Sequence, residues 1–393
     1  MPRALCVRSC GTVGANVSGP AIPRAADPSY ASSKGRELVN ARTILTVTFL
    51  IAFTITPILA AAPAAQAATV ACGTTQCAAP VACNTSAGAC WQPALASRWQ
   101  YQLQAQRTSS GTCNTSQNPG GINVNITGTA YTGGTVAPMV FDIDPQIDTI
   151  CDTSPPQYTQ NTLAVSQIHA KGDKAIAYID AGTWESFRKD AAQFDAFNNS
   201  SPCNGCLYGK TLSGFHNEKW LNISPGVMGV NPNTGQLEDR QAVILDEMTA
   251  RVNQAKADGF DGIEFDNVDA WQNNTGLRLT SDQELQYITQ LANIANSAGL
   301  TVALKNDTDQ ICAQGSGSTC GGLTRWFDYT VNEQCQQYSE CSKLDPFVTS
   351  GKAAFQVEYK LSTGKFCPQA NAANRNAILK TYDLFDTPWT PCR

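Results

Sequence analysis

Histidine is almost missing from this 393-residue chain, which has only His169 and His216. Two histidines cannot build a three-histidine metal site, and they leave little room for histidine-centred catalysis. Both sit outside any candidate site, His169 in a helical pattern and His216 in a loop, and read as structural residues. Positive charge is short as well. Lys and Arg number 27 against 32 Asp and Glu, a formal charge of −5. The field that releases counterions from nucleic-acid phosphates is therefore absent, and no nucleic acid is expected as a partner. No Gly-rich phosphate loop follows the first candidate strand, which removes the dinucleotide-binding fingerprint. Nothing in the sequence calls for a cofactor or a metal. Disorder is excluded in turn by an apolar content of 42%.

What the chain does have begins with a long apolar run. Residues 43–60 read TILTVTFLIAFTITPILA, with Arg36 and Arg42 before them and Ala65-Gln66-Ala67 after them. A positive flank, an apolar centre and a small-residue cleavage site predict a secretory signal, so residues 1–67 are expected to be prefix and signal peptide. The rival reading is a membrane anchor over residues 43–60, since about 18 apolar residues can just cross a bilayer. A secreted, extracellular protein without stable membrane association is the expectation. Removing residues 1–67 leaves 14 of the 16 cysteines, an even number that reads as disulfides in an exported protein. Zinc fits poorly, because Cys203/Cys206 is a lone C-x-x-C. The remaining chain carries 21 basic and 30 acidic residues, a formal charge of −9.

Residues 68–95 are Cys-, Ala- and Thr-rich without periodicity and read as a small stapled leader. From residue 96 to 393 short apolar runs alternate with amphipathic stretches. Strands are predicted at 99–104, 139–144, 175–181, 220–224, 262–267, 301–305, 329–333 and 354–358. Helical periodicity runs through Leu163, Val165 and Ile168, through Val243, Ile244, Met248 and Val252, and through Leu285, Ile288, Leu291 and Ile294. Eight strands alternating with helices over about 260 residues predict an α/β fold, a single (β/α)8 TIM barrel.

Active sites of such barrels form at the carboxyl ends of the strands. Those ends hold Asp142, Asp144, Asp180, Asn222, Glu264, Asp266 with Asp269, Lys305, Asn306, Glu333 and Glu358. Carboxyls crowded on one rim raise each other's cost, so the concentration points to chemistry. Glycoside hydrolysis is the reaction that needs paired carboxyls and no histidine. Other roles stay open residue by residue. Asp266-Asn267 could brace a turn, and Glu333 or Glu358 could pair with Lys305 or Arg325.

At these ends the sequence resembles a known family. The motifs run in order: W-x-Y-Q-L at Trp99–Leu103, Y-I-D-A-G-T-W-E at Tyr178–Glu185 with Arg188 and Asp190, and E-K-W-L-N-I at Glu218–Ile223. D-G-I-E-F-D-N-V-D at Asp261–Asp269, L-K-N-D at Leu304–Asp307, V-N-E-Q-C-x-x-Y-x-E-C at Val331–Cys341 and Glu358-Tyr359 follow. Together they resemble glycoside hydrolase family 114, the endo-α-1,4-polygalactosaminidases. The resemblance implies Asp180 and Glu264 as the catalytic acids. In that reading Asp180 is the nucleophile and Glu264 the general acid/base of a retaining mechanism, with the carboxyls roughly 5–5.5 Å apart. The remaining rim residues are then substrate-binding candidates: Asp142, Asp144, Glu185, Asp266, Asp269, Trp271, Lys305, Asn306, Glu333, Glu358 and Tyr359. The implied partner is a cationic amino-sugar polysaccharide, which a rim of carboxylates would concentrate. A non-catalytic carbohydrate-binding barrel, or a hydrolase of another amino-sugar polymer, is the competing expectation. The family's W-L-D is W-L-N here, at Asn222, and Ala177 and Phe260 stand where the family commonly has cysteines.

Overall fold

The computed structural model describes residues 68–393 except 87, 109, 115–117, 149–157 and 313–321. The expected signal segment lies outside the described residues. Eight strands run parallel in one curled sheet: β1 Trp99–Gln102, β2 Val140–Ile143, β3 Lys174–Asp180 and β4 Gly262–Asp266, then β5 Thr301–Lys305, β6 Tyr329–Glu333, β7 Ala354–Glu358 and β8 Asn376–Leu379. A ninth, β9 Thr390–Pro391, pairs antiparallel with β8. Strands consecutive along the chain are neighbours in the sheet, an order consistent with a TIM-like barrel.

Among the described residues six α-helices connect or flank these strands: α1 Thr162–Ala170, α2 Ala191–Asn199, α3 Arg240–Ala257, α4 Ser281–Ser297, α5 Asp345–Thr349 and α6 Thr363–Ala372. The long ones carry their own start signals. Asp239 accepts from the Gln241 N–H at 2.9 Å to cap α3, and Thr280 with Gln283 forms a reciprocal capping box on α4. Their apolar faces (Val243, Ile244, Met248 and Val252 on α3; Leu285, Ile288 and Leu291 on α4) are buried with the outward side chains of the strands in one core. Strands covered in this way lose solvent on both faces, which is why β5 and β7 are buried at every position.

The fourth predicted strand is placed differently. Residues Glu218–Leu221 join Thr183–Glu185 and Tyr208–Thr211 in a separate three-stranded antiparallel sheet. That small sheet lies within the excursion between β3 and α3, while β3 pairs directly with β4. The eighth parallel strand is instead Asn376–Leu379. Among the described residues no ladder joins β8 to β1; side chains and a loop bridge the seam. Trp99 Nε1 donates to the Asn376 carbonyl at 2.8 Å, Lys380 Nζ to Gln100 Oε1 at 3.0 Å, and the Leu103 N–H to the Leu384 carbonyl at 3.0 Å.

The described part of residues 68–95 belongs to the same compact unit. Its hairpin, Thr69–Cys72 with Thr75–Ala78, bonds to α4 through Thr74 to Asp282 and Gln286 to Thr75. Disulfides link Cys72–Cys77, Cys83–Cys90, Cys203–Cys206, Cys335–Cys341 and Cys367–Cys392. The last closes 25 residues of chain and ties α6 to the terminus beside β9. Constraint of the unfolded chain by a loop of that length contributes about 3 kcal/mol. Cys367→Ser with Cys392→Ser should therefore lower the urea midpoint under non-reducing conditions; an unchanged midpoint contradicts this.

Candidate active site

At the carboxyl ends of the strands lies a cavity of about 1250 Å³, open mouth included. Its floor carries Tyr101, Tyr178, Asp266 and Lys305, and its walls include Asp144, Glu185, Arg188, Asp269, Asn306, Glu333 and Tyr359. Lys305, the last residue of β5, is the hub. Its ammonium is 2.8 Å from Glu264 Oε1, 3.1 Å from Asp266 Oδ1 and 3.6 Å from Glu333 Oε2, and it donates to Tyr101 Oη at 2.9 Å. Burial alone would lower the lysine's pKa. Asp266, Glu264 and Glu333 outweigh it and hold the ammonium well above the ordinary value.

Glu264 and Asp266 stand two apart on β4 and so share its inner face. Asp266 ends the strand, reaches the cavity and accepts from Tyr178 Oη at 2.9 Å. Glu264 lies directly beneath it, fully buried, with Tyr101 Oη donating to Oε1 at 2.9 Å. The same pairing of depths occurs on β2. Asp144 faces the cavity and takes both terminal nitrogens of Arg188, at 2.7 and 3.0 Å, while Glu185 takes Nε of the same guanidinium at 2.6 Å. Asp142, two residues earlier, is fully buried, and neither of its carboxyl oxygens has a hydrogen-bond partner among the described residues.

Asp180 ends β3 and is 1% exposed. It borders a smaller cavity of about 390 Å³ that shares Tyr178 and Arg188 with the larger one. Four donors hold its carboxyl: the Gly182 and Thr183 N–H groups at 3.2 and 2.8 Å, Thr183 Oγ1 at 2.6 Å and Asn267 Nδ2 at 2.7 Å. Glycine is required at 182, because a Cβ there would stand 1.8 Å from the Asn267 carbonyl oxygen. Burial, with Glu185 and Asp266 adding repulsion, pushes the Asp180 carboxyl up to about 8 against the Thr183 hydrogen bonds. The donors offset part of the desolvation and not all of it.

Other candidates from the sequence fall in three places. Asn306 borders the cavity and accepts from the Glu333 N–H at 3.0 Å, while Tyr359 donates to Glu333 Oε1. Trp271 is turned aside, its Nε1 on Asp307 Oδ1 at 3.2 Å. Glu358 is buried, accepts from the Gln336 N–H at 2.8 Å and does not border the cavity. Residues the sequence reading did not select also line the wall: Tyr158 stacked on Phe187 at 4.8 Å, and Tyr382 against Tyr359 at 4.6 Å. Tyr382 follows the strand that the reading missed, and Tyr101 and Tyr178 were legible as inward positions of β1 and β3. Among the described residues Cys335, Cys341 and Glu358 alone have metal-ligand spacing. The two sulfurs are bonded to each other and offer no thiolate.

Parallel strands that deliver several carboxyls and one lysine to a shared cavity at their carboxyl ends define a barrel-type hydrolase. The chain belongs to glycoside-hydrolase family GH114, whose model matches residues 81–393, and it is a glycoside hydrolase. It is similar to Aspergillus fumigatus Ega3, solved in complex with galactosamine: 25% identity, TM-score 0.53, covering 75% of this chain and 95% of that one. A fainter likeness is to the glycoside hydrolase domain of PelA from Pseudomonas aeruginosa, at 11% identity and TM-score 0.40, covering 64% of this chain and 90% of that one. No curated protein sequence matches the chain. Among the described residues no helix is long and apolar enough to cross a membrane.

Proposed function

We propose that this is an exported, endo-acting hydrolase of α-1,4-linked galactosamine polymers, with one (β/α)8 domain over residues 96–393. Residues 1–67 are its removable export segment. The observation that carries the substrate class is the charge of the cavity. Seven carboxylates (Asp144, Glu185, Glu218, Asp266, Asp269, Glu333 and Asp383) line it against two cations, Arg188 and Lys305. Both cations are already engaged by carboxylates, so the remaining field is negative and draws in the ammonium groups of a de-N-acetylated sugar chain. Galactosamine bound in the related Ega3 structure supports the same class. The pairs Tyr158–Phe187 and Tyr359–Tyr382 supply faces on which sugars and their ammonium groups can rest.

For the chemistry we assign Asp180 and Glu264. Asp180, held protonated at neutral pH, gives its proton to the glycosidic oxygen as the C1–O bond breaks. The Glu264 carboxylate, backed by Lys305 and Tyr101, forms the bond to C1. Water, losing a proton to Asp180, then displaces Glu264 and restores both groups. This divides the roles in the opposite sense from the one the family resemblance first suggests. The reason is that Glu264 takes an ammonium donor and Asp180 does not.

The test is cleavage of defined galactosamine oligomers, free and N-acetylated, followed by mass spectrometry. KM for the free-amine oligomer should rise several-fold as salt shortens the Debye length from about 30 Å at 0.01 M to about 8 Å at 0.15 M. Preference for the acetylated oligomer, or a salt-independent KM, would overturn the cationic assignment. Binding without cleavage would establish a carbohydrate-binding protein instead.

A further inference from the structure

We infer that Asp142 is a positioning residue, a buried neutral carboxylic acid whose proton bridges to Glu264 and keeps Glu264 the charged member of the pair. The inference rests on the reading of Glu264 as a reacting carboxylate.

Asp142 is the third residue of β2, level with Tyr101 on β1 and Ile176 on β3. It is fully buried and lines neither cavity. Among the described residues no N–H or O–H donor bonds to either of its carboxyl oxygens, and Glu264 Oε2 is in the same condition. These oxygens are acceptors unless one carries hydrogen. Glu264 acts on Asp142 more strongly than any other charged group does, and one proton between the two carboxyls would give these oxygens the partner that each lacks. Two bare carboxylates at this depth would repel, and Lys305 offsets that only in part.

Geometry also decides which group holds the proton. Glu264 Oε1 receives the Lys305 ammonium and the Tyr101 hydroxyl, whereas Asp142 receives no such donor. The charged groups facing Asp142 are Glu264 and Asp266 on β4 and Lys305 on β5; the hydroxyls of Tyr101 and Tyr329 complete its surroundings. Burial first, then Glu264, drives the Asp142 carboxyl well above the usual carboxylate range, and Lys305 only partly opposes this. Glu264 is therefore fixed by donors from three other strands, β1, β2 and β5. Its two oxygens are oriented without a second buried negative charge beside them.

The test compares Asp142→Asn, which keeps an N–H donor for Glu264, with Asp142→Leu, which keeps bulk without a donor, in the full chain. Asp142→Asn should retain at least about a third of kcat. Asp142→Leu should lose about 30-fold or more in kcat with KM within about twofold, as expected when a group acts through another in the transition state. Infrared spectra at pH 7 should show one protonated-carboxyl C=O band lost in Asp142→Asn. Loss of kcat in a folded Asp142→Asn equal to that of Glu264→Gln would overturn the inference, as would retention of that band. If Glu264→Gln itself keeps wild-type kcat, the reading of Glu264 fails and this inference falls with it. If Asp142→Leu does not fold, the Asn variant and the spectrum decide alone.

Discussion

Asp180→Asn and Glu264→Gln should each lower kcat on galactosamine oligomers by roughly 10²–10⁴-fold, the range spanned by a positioned acid or base. The two losses should differ in their pH signature. Asp180 acts here as the proton donor and its carboxyl stands at about 8. The wild-type kcat/KM then falls about tenfold per unit above that pH. Titration of the substrate amine also lowers the rate in that range, but it persists in the residual activity of Asp180→Asn, from which the enzyme's own limb is absent. An ascending limb near pH 8 would reverse the roles of the two acids. Stability supplies an independent check. An aspartate whose folded carboxyl lies above its unfolded value holds a proton that the unfolded chain releases, so stability falls as pH rises from about 4 to 8. Asp180→Asn should therefore melt no lower than wild type at pH 8 while being nearly inactive. Asp266→Asn should cost less than Glu264→Gln; the reverse order would move the reacting carboxylate to the cavity-facing Asp266.

Strand ends could be read from the sequence because alternation along a strand shows which side chains share a face. That suffices to gather Asp180, Glu264, Asp266, Lys305 and Glu333 at one end of the sheet. It also separates Glu358 from Tyr359, since neighbours on a strand point to opposite faces; the structure puts only Tyr359 on the cavity wall. Period two carries no information about depth. Asp142 and Asp144 share a face, as do Glu264 and Asp266, yet in each pair only the second residue borders the cavity. The stagger of neighbouring strands decides that, and stagger is a property of the assembled sheet. The eighth strand was missed because Asn376–Leu379 is four residues long and lacks an aromatic or β-branched run. Trp220–Ser224 is richer in strand formers, and it does pair, but within the antiparallel sheet that brings Glu185 and Glu218 to the cavity rim.

Lys305→Met should be the most destabilising single change at the site. The side chain is 1% exposed, and its ammonium is the cation that meets Glu264, Asp266 and Glu333. Methionine fills much of the same volume and offers no donor. Removing one partner of a buried ion pair leaves the other charge uncompensated, at a cost of about 3–5 kcal/mol. For a domain of this size that is a fall of roughly 10 °C in melting temperature. The sign of the pH dependence follows from which groups titrate. In wild type the ammonium lies above its unfolded value, so its contribution is complete below about pH 10 and is lost only above that. It cannot vary between pH 4 and 8. In the variant the fully buried Glu264 carboxyl has lost its cation, and it must take up a proton in the folded state or remain charged without a counterion. Protonation relieves that cost at low pH only, so the variant loses stability as pH increases. The gap to wild type should be widest near pH 8 and should narrow toward pH 4. A gap independent of pH would mean that Lys305 serves the fold by packing alone. A variant that keeps both its melting temperature and its kcat would remove Lys305 from the centre of the site. Near-neutral activity should disappear with the stability, because protonating Glu264 removes the carboxylate that would form the bond to C1.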